Sequence, residues 1–96
     1  MGEGMRAYAA IFDYAEDGIS VEFPDLPGCL TCAESDDEAL LNAEEALRGW
    51  LAVSDESGVH APEPTPLENI SLSGRQRAVL VTAHTVTRRS LSAAVY

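Results

Sequence analysis

Two runs near the start of the chain are predicted to form strands, and the second of them alternates between apolar and polar positions. They are residues 6–12 (RAYAAIF) and residues 19–23 (ISVEF), and Ile19, Val21 and Phe23 share one side of the second run. Alternation with a period of two is typical of half-buried strands. The DYAEDG sequence between the runs contains an Asp-Gly pair, which tolerates the positive φ values of tight turns. The pattern therefore predicts an antiparallel hairpin with its turn in residues 13–18.

A corner rich in proline and glycine interrupts this pattern. It consists of Phe23, Pro24, Asp25, Leu26, Pro27, Gly28 and Cys29. Neither proline can donate a backbone hydrogen bond, so the strand ladder should stop here. Pro27 and Gly28 suit the central positions of a type II turn, because proline fixes φ and glycine accepts a positive φ. The next residues, 29–33 (CLTCA), are predicted to form a third short strand.

A long amphipathic helix is predicted next. Ser35 is a suitable N-cap, and Glu38 three residues later completes a capping box. The helix should end near residues 54–58, because Asp55 and Glu56 oppose the helix dipole. Apolar residues recur at helical spacing. Those predicted to face the sheet are Ala39, Ala43, Ala46, Trp50 and Val53, flanked by Leu40, Leu47 and Leu51.

The remaining chain is predicted to contain a surface loop and one more strand. The loop is residues 60–66 (HAPEPTP), and the strand is residues 78–86 (AVLVTAHTV). Both faces of this strand are apolar, and an exposed apolar edge strand invites pairing with another copy. Val79, Leu80 and Val81 are therefore predicted to form a homo-oligomer interface.

Together these elements predict an α+β fold. A three-stranded antiparallel sheet would be packed by one long helix, with a later edge strand. Residues 1–86 are expected to form a single domain. Residues 87–96 are expected to be a C-terminal tail without a separate DNA-binding domain.

Charge narrows the possible partners. The chain of 96 residues has 16 acidic residues and six arginines, which gives a formal net charge of −10. An acidic domain is poorly suited to binding nucleic acids, because its charge repels their phosphates, and it associates readily with a basic protein. The alternative, that acidity only maintains solubility, stays open. No apolar run approaches the roughly 20 residues of a membrane span. The N-terminus does not resemble a signal peptide, so a cytoplasmic setting is expected.

The C-x-x-C spacing of Cys29 and Cys32 suggests a zinc or redox site. An odd separation within one strand, however, places two side chains on opposite faces. A structural zinc site also needs four ligands, and His60 and His84 lie in distant segments. Both cysteines are therefore predicted to be structural, and no metal or cofactor is expected.

Acidic residues raise one catalytic alternative. A nuclease dependent on divalent metal needs several converging carboxylates, which Asp13, Glu22 and Glu38 could supply. Glu38 is already explained as a capping residue, and acidic side chains in turns are usually solvated. The sequence contains no recognisable nucleophile–base pair. The chain is therefore predicted not to be an enzyme, and the nuclease is the less favoured hypothesis.

The ordered combination of corner, helix and loop resembles the HicB family of antitoxins. The resemblance runs from about Tyr8 to Pro64. It rests on the corner Phe23–Cys29, on Glu38-Ala39-Leu40, Asn42-Ala43, Glu45-Ala46-Leu47 and Trp50-Leu51 in the helix, and on Pro62-Glu63-Pro64.

The resemblance implies a partial RNase H-like fold that forms a dimer or tetramer through the later strand. It also implies a partner, a small basic toxin of the HicA type that cleaves mRNA with a histidine, and whose active site the antitoxin blocks. Two departures from the family pattern matter. Ala33 replaces a frequent glycine, so ordinary strand geometry is expected there. The ten residues after Val86 are too few for a helix-turn-helix or ribbon-helix-helix, which puts DNA binding in doubt. An orphan oligomeric domain without a toxin is the second alternative.

Overall fold

The computed structural model describes the backbone of residues 3–86 and the side chains of residues 5–83. One helix packs on a four-stranded antiparallel sheet with strand order β3-β2-β1-β4, which confirms the α+β prediction. The predicted tail, residues 87–96, lies outside the described residues. The elements are β1 (Glu3–Ala15), β2 (Gly18–Glu22), β3 (Leu30–Ala33), α1 (Asp36–Ser57), a 3₁₀ turn (Leu67–Asn69) and β4 (Gln76–Val86).

The first strand is longer than the sequence predicted, because it pairs with two neighbours. β4 lies against β1 from the Glu3–Val86 pair to the Asp13–Gln76 pair. The hairpin with β2 continues to the Ala15–Gly18 pair, so the predicted six-residue turn is reduced to two residues. Gly18 has a φ of 150°, and a Cβ there would lie 2.9 Å from the carbonyl oxygen of Ala33. Glycine is therefore required at this close approach.

The core lies between the helix and one face of the sheet, here called the inner face. Tyr8, Ala10 and Phe12 point to it from β1. Val21 and Val81, from the strands on either side of β1, are each about 1% exposed. Burial of such side chains contributes roughly 1.5–3 kcal/mol each and holds the helix on the sheet.

The helix begins and ends where the sequence predicted, but its buried side differs in part. Gly58 ends it in the left-handed conformation, and its N–H donates to Asp55 and Ser54 carbonyl oxygens. The predicted burial of Val53 and Leu40 is wrong, since they are 63% and 40% exposed. A ridge of residues spaced four apart faces the sheet instead. The buried helix residues are Ala39, Ala43, Leu47, Leu51 and Ser54, with Ala46 and Trp50 partly buried beside them.

The opposite face of the sheet, here called the outer face, carries several small and apolar residues. The strand register places Ala9 beside Leu80, and Ile11 beside Ala78 and Glu22. Leu80 is 52% exposed.

Within the part of the chain that the structure describes, no helix combines the length and the apolar character that a membrane span requires.

Candidate protein-binding surface

The Phe23–Cys29 corner is built from two successive turns. The N–H of Leu26 donates to the carbonyl of Phe23, and the N–H of Cys29 donates to that of Leu26, both at 3.0 Å. Gly28 has a φ of 81°, which fits the predicted type II turn at Pro27-Gly28. A further bond of 3.1 Å, from the N–H of Phe23 to the carbonyl of Cys29, closes the corner. The backbone is therefore fixed where the chain passes from β2 to β3.

Two side chains attach this corner to the helix. The indole N–H of Trp50 donates to the carbonyl of Pro27 at 2.9 Å. The thiol of Cys29 donates to the carbonyl of Ala46 at 3.5 Å. Burial raises the pKa of the Cys29 thiol, which keeps it protonated and poorly nucleophilic at neutral pH. Cys29 therefore acts as a packing residue of the corner.

Asp25 connects the corner to the distant return loop. Its carboxylate accepts bonds of 2.7 Å from both the backbone N–H and the hydroxyl of Thr65. Nearby, the Tyr8 hydroxyl donates to the carbonyl of Pro62 at 2.6 Å. Burial raises the pKa of Tyr8, so this donor keeps its proton well into the alkaline range. Sequence reasoning missed the Asp25–Thr65 contact, because no local pattern signals a bond between residues forty positions apart.

The start of the helix is fixed by a capping box and by one contact to the sheet. The Ser35 hydroxyl accepts from the Glu38 N–H at 3.2 Å. The Glu38 carboxylate accepts from the N–H of Glu34 at 2.8 Å, one residue before the expected partner. Tyr14 donates to Asp36 at 2.5 Å, and this bond raises the Tyr14 pKa. The Arg77 guanidinium lies 5.6 Å from the centre of the Tyr14 ring.

An apolar groove lies between the corner, the start of β3 and the C-terminal half of α1. We call it the corner–helix groove, and its volume is about 630 Å³. Leu30, Val53 and Val59 are each more than half exposed along it. Among the described residues, none that lines the groove is charged. The lining residues are Gly28, Cys29, Leu30, Ala46, Gly49, Trp50, Val53, Ser54, Ser57 and Val59.

The structure separates the residues of the two metal hypotheses. Cys29 is buried in the corner, Cys32 is exposed in β3, and both are free cysteines. The strand predicted over residues 29–33 begins only at Leu30, so strand parity does not apply to Cys29. Asp13 and Glu22 lie on the outer face of the sheet, whereas Glu38 lies at the start of the helix. In the part of the chain that is described, no group of three or more His, Cys, Asp or Glu residues could hold a metal ion. The nuclease hypothesis therefore lacks its converging carboxylates there.

The predicted oligomer strand divides between two environments. Val81 is 1% exposed and belongs to the core, and Val79 packs partly against it. Leu80 points to the outer face, where it is accessible to another molecule. Of these three residues only Leu80 offers its side chain to a partner. The interface itself stays a prediction.

Comparison with known proteins identifies the family to which this chain belongs. A sequence model of the HicB-like antitoxin of bacterial toxin–antitoxin systems matches residues 8–93. An uncharacterised 14.9 kDa protein of Haemophilus phage HP1 is 33% identical over 61 residues, which is 64% of this chain. The chain spans 46% of that phage protein.

Two solved structures share the fold. A chain of a toxin–antitoxin complex from Streptococcus pneumoniae superposes with a TM-score of 0.75 and 22% identity, over 83% of this chain and 69% of that one. A chain of a HicA3 and HicB3 toxin–antitoxin complex superposes with a TM-score of 0.62 and 21% identity, over 81% of this chain and 95% of that one. The family match covers most of the sequence, and the chain therefore belongs to the HicB-like antitoxin family.

Proposed function

We propose that this chain is an antitoxin that binds a small basic mRNA interferase of the HicA type and covers its active site. The observation that carries the proposal is the family match over residues 8–93. On this account the protein acts by occupying a surface of its partner and catalyses no reaction itself. The absence of converging carboxylates within the described residues agrees with that role.

The distribution of charge supports a basic partner. The net charge is −10, and acidic residues are concentrated in the first turn of α1, at Asp36, Asp37 and Glu38. A field of one sign increases the rate of association with a protein of opposite charge. Binding should therefore be faster at low ionic strength and should slow as salt is added.

The proposal predicts that a small basic open reading frame lies next to this gene, and co-expression of the two tests it. The two proteins should co-purify, and the growth arrest caused by the neighbour alone should be relieved. As a control, the neighbour should be expressed with an unrelated acidic domain of similar size, which should neither co-purify nor relieve arrest. Arrest that persists in the presence of this chain, with no co-purification, would sink the proposal.

A second proposal concerns self-association. β4 lies at the edge of the described sheet, is eleven residues long, and carries exposed Leu80 next to Ala9 of β1. A long uncovered edge with an apolar side chain favours pairing with another copy. We expect a dimer or tetramer in light scattering at micromolar concentration. A mass equal to one chain at high concentration would contradict the self-association proposal but not the antitoxin proposal.

A further inference from the structure

We propose that the corner–helix groove receives a short extended segment of a basic protein partner, with an apolar side chain inserted beside Trp50. This inference rests on the proposed antitoxin function and names the part of the surface that makes the contact. It rests on three observations: the apolar lining, the backbone groups of Leu30 that point away from β2, and the charge near the groove.

The lining is the first observation. Val53 and Leu30 are 63% and 62% exposed, and both line the groove. The hydrogen bond from Trp50 to Pro27 fixes the indole ring beside them, so the ring forms a rigid side of the groove. Gly49 leaves space on the helix, since nothing lies within 4 Å of a Cβ built there. A rigid aromatic residue in an apolar recess is typical of binding sites for an inserted anchor side chain.

The edge of β3 supplies the second observation. The carbonyl of Cys29 accepts from β2, whereas the carbonyl of Cys32 accepts from Asn42 on the helix. Along an antiparallel strand, the N–H and carbonyl of successive residues point alternately toward and away from the neighbouring strand. The N–H and carbonyl of Leu30 therefore point away from β2, as those of Cys32 do. An extended segment can therefore pair with Leu30 at the mouth of the groove. Asn42 occupies the next outward carbonyl, which limits such pairing to a short segment.

Charge is the third observation, and it selects a basic occupant. Glu45 lies one helical turn before Gly49, which lines the groove. None of the described residues that line the groove is an arginine. Arg48 is on another side of the helix, Arg75 and Arg77 are at the β4 edge, and Arg6 pairs with Ala83 of β4. A lysine or arginine residue flanking the inserted apolar side chain would meet Glu45, in a chain whose net charge is −10.

A matched pair of variants tests the contact. Val53→Glu changes the groove, whereas Leu41→Glu changes a residue that is also 64% exposed but lies on another side of the same helix. Both variants add one negative charge, so any general attraction to a basic partner rises equally. We expect Val53→Glu to weaken binding of the co-purified basic neighbour about tenfold or more, and Leu41→Glu to change it within about twofold.

Binding should be followed by calorimetry and by the fluorescence of Trp50, the single tryptophan of the chain. Wild-type protein and Leu41→Glu should show a change of Trp50 emission on complex formation. Full affinity in the Val53→Glu variant, or unchanged Trp50 emission in the wild-type complex, would overturn the groove proposal and leave the antitoxin proposal intact. A change of oligomeric state in Val53→Glu alone would also overturn it, because the groove would then be a contact between copies.

A peptide probe tests the groove without the cognate partner. A synthetic peptide of alternating lysine and leucine should shift the NMR signals of the Trp50 indole N–H and of the Leu30 and Gly49 amides. A peptide of alternating glutamate and leucine should shift them much less. No shifts with the lysine peptide, or larger shifts elsewhere, would refute the groove proposal. Failure of wild-type protein to bind its basic neighbour, combined with groove shifts, would refute the antitoxin proposal alone.

Discussion

The two edges of the described sheet are protected in different ways. β3 has four residues, follows a corner with two prolines, and has one outward carbonyl occupied by Asn42. β4 has eleven residues and pairs with β1 along its length. A short, partly capped edge admits only a short segment, whereas a long edge is able to pair over many residues. We infer that the β3 edge suits a specific partner and the β4 edge suits another copy of the chain.

The largest expected effect comes from removing the apolar centre of the corner that precedes β3. Leu26 is fully buried, and Leu26→Ala should lower the free energy of unfolding by about 2–5 kcal/mol, because a cavity would remain. Urea denaturation followed by fluorescence measures this change. The matched control is Leu72→Ala, at a residue that is 44% exposed, which should change stability by about 0.5 kcal/mol or less. An equal decrease in the free energy of unfolding of the two variants would mean that the stability of the corner does not depend on Leu26.

A smaller effect is expected from the link between corner and loop. Asp25→Ala removes both bonds to Thr65, and should lower the free energy of unfolding by about 2 kcal/mol. Thr65→Ser keeps the hydroxyl and the backbone N–H, and should remain close to wild type. Urea denaturation of both variants checks this. If the corner were held by packing alone, Asp25→Ala would be as stable as wild type.

On the β4 side, Tyr14→Phe removes the bond to Asp36 and keeps the ring beneath Arg77. Because this bond is exposed, we expect a loss of only about 0.5–1 kcal/mol in the free energy of unfolding. The folded state raises the Tyr14 pKa above its ordinary value of 10.0. The bond therefore stabilises the fold below pH 10 and stops doing so as the pH rises through the folded pKa. The difference between wild type and variant, measured by urea denaturation, should shrink in strongly alkaline buffer. A stability difference between wild type and Tyr14→Phe that increases in alkaline buffer would contradict the raised pKa of Tyr14.

The smallest effect on folding is expected at the edge itself. Leu80 is 52% exposed, so Leu80→Lys should change the free energy of unfolding by about 0.5 kcal/mol or less. It should nevertheless reduce self-association, because a lysine on an edge strand opposes pairing. Light scattering should compare the mass of Leu80→Lys with that of Leu41→Lys, a control that adds the same charge on the helix. A loss of mass in Leu80→Lys alone would assign the effect to the β4 edge. An unchanged mass for Leu80→Lys would show that β4 is not the self-association edge.

Local signals made much of the fold predictable from the sequence. Pro27-Gly28 in the corner and the Ser35 N-cap act within a few residues, and the structure confirms both. Two other local signals are confirmed in part: Gly18 has a positive φ but lies just after the Glu16-Asp17 turn, and the Glu38 carboxylate accepts from Glu34, the residue before the N-cap. The parity argument for Cys29 and Cys32 assumed one strand over residues 29–33, but β3 begins at Leu30. The two cysteines differ in burial because Cys29 packs in the corner against the helix.

Features that depend on distant contacts were not predictable. β1 extends to Ala15 because β4 and β2 pair with it on both sides. Val53 fits the helical pattern but faces the groove, because the position of the helix on the sheet decides which apolar residues are covered. The groove is likewise formed by three separate segments. Its residues carry no shared sequence signal, and only the fold brings them together.

The most direct test of the central claim is inhibition of the partner's ribonuclease activity. The purified basic neighbour should be assayed for cleavage of a defined mRNA while this chain is added. We predict that cleavage falls to background near equimolar amounts, and that Val53→Glu requires much more protein than Leu41→Glu. Cleavage that continues undiminished in the presence of excess wild-type chain would contradict the account.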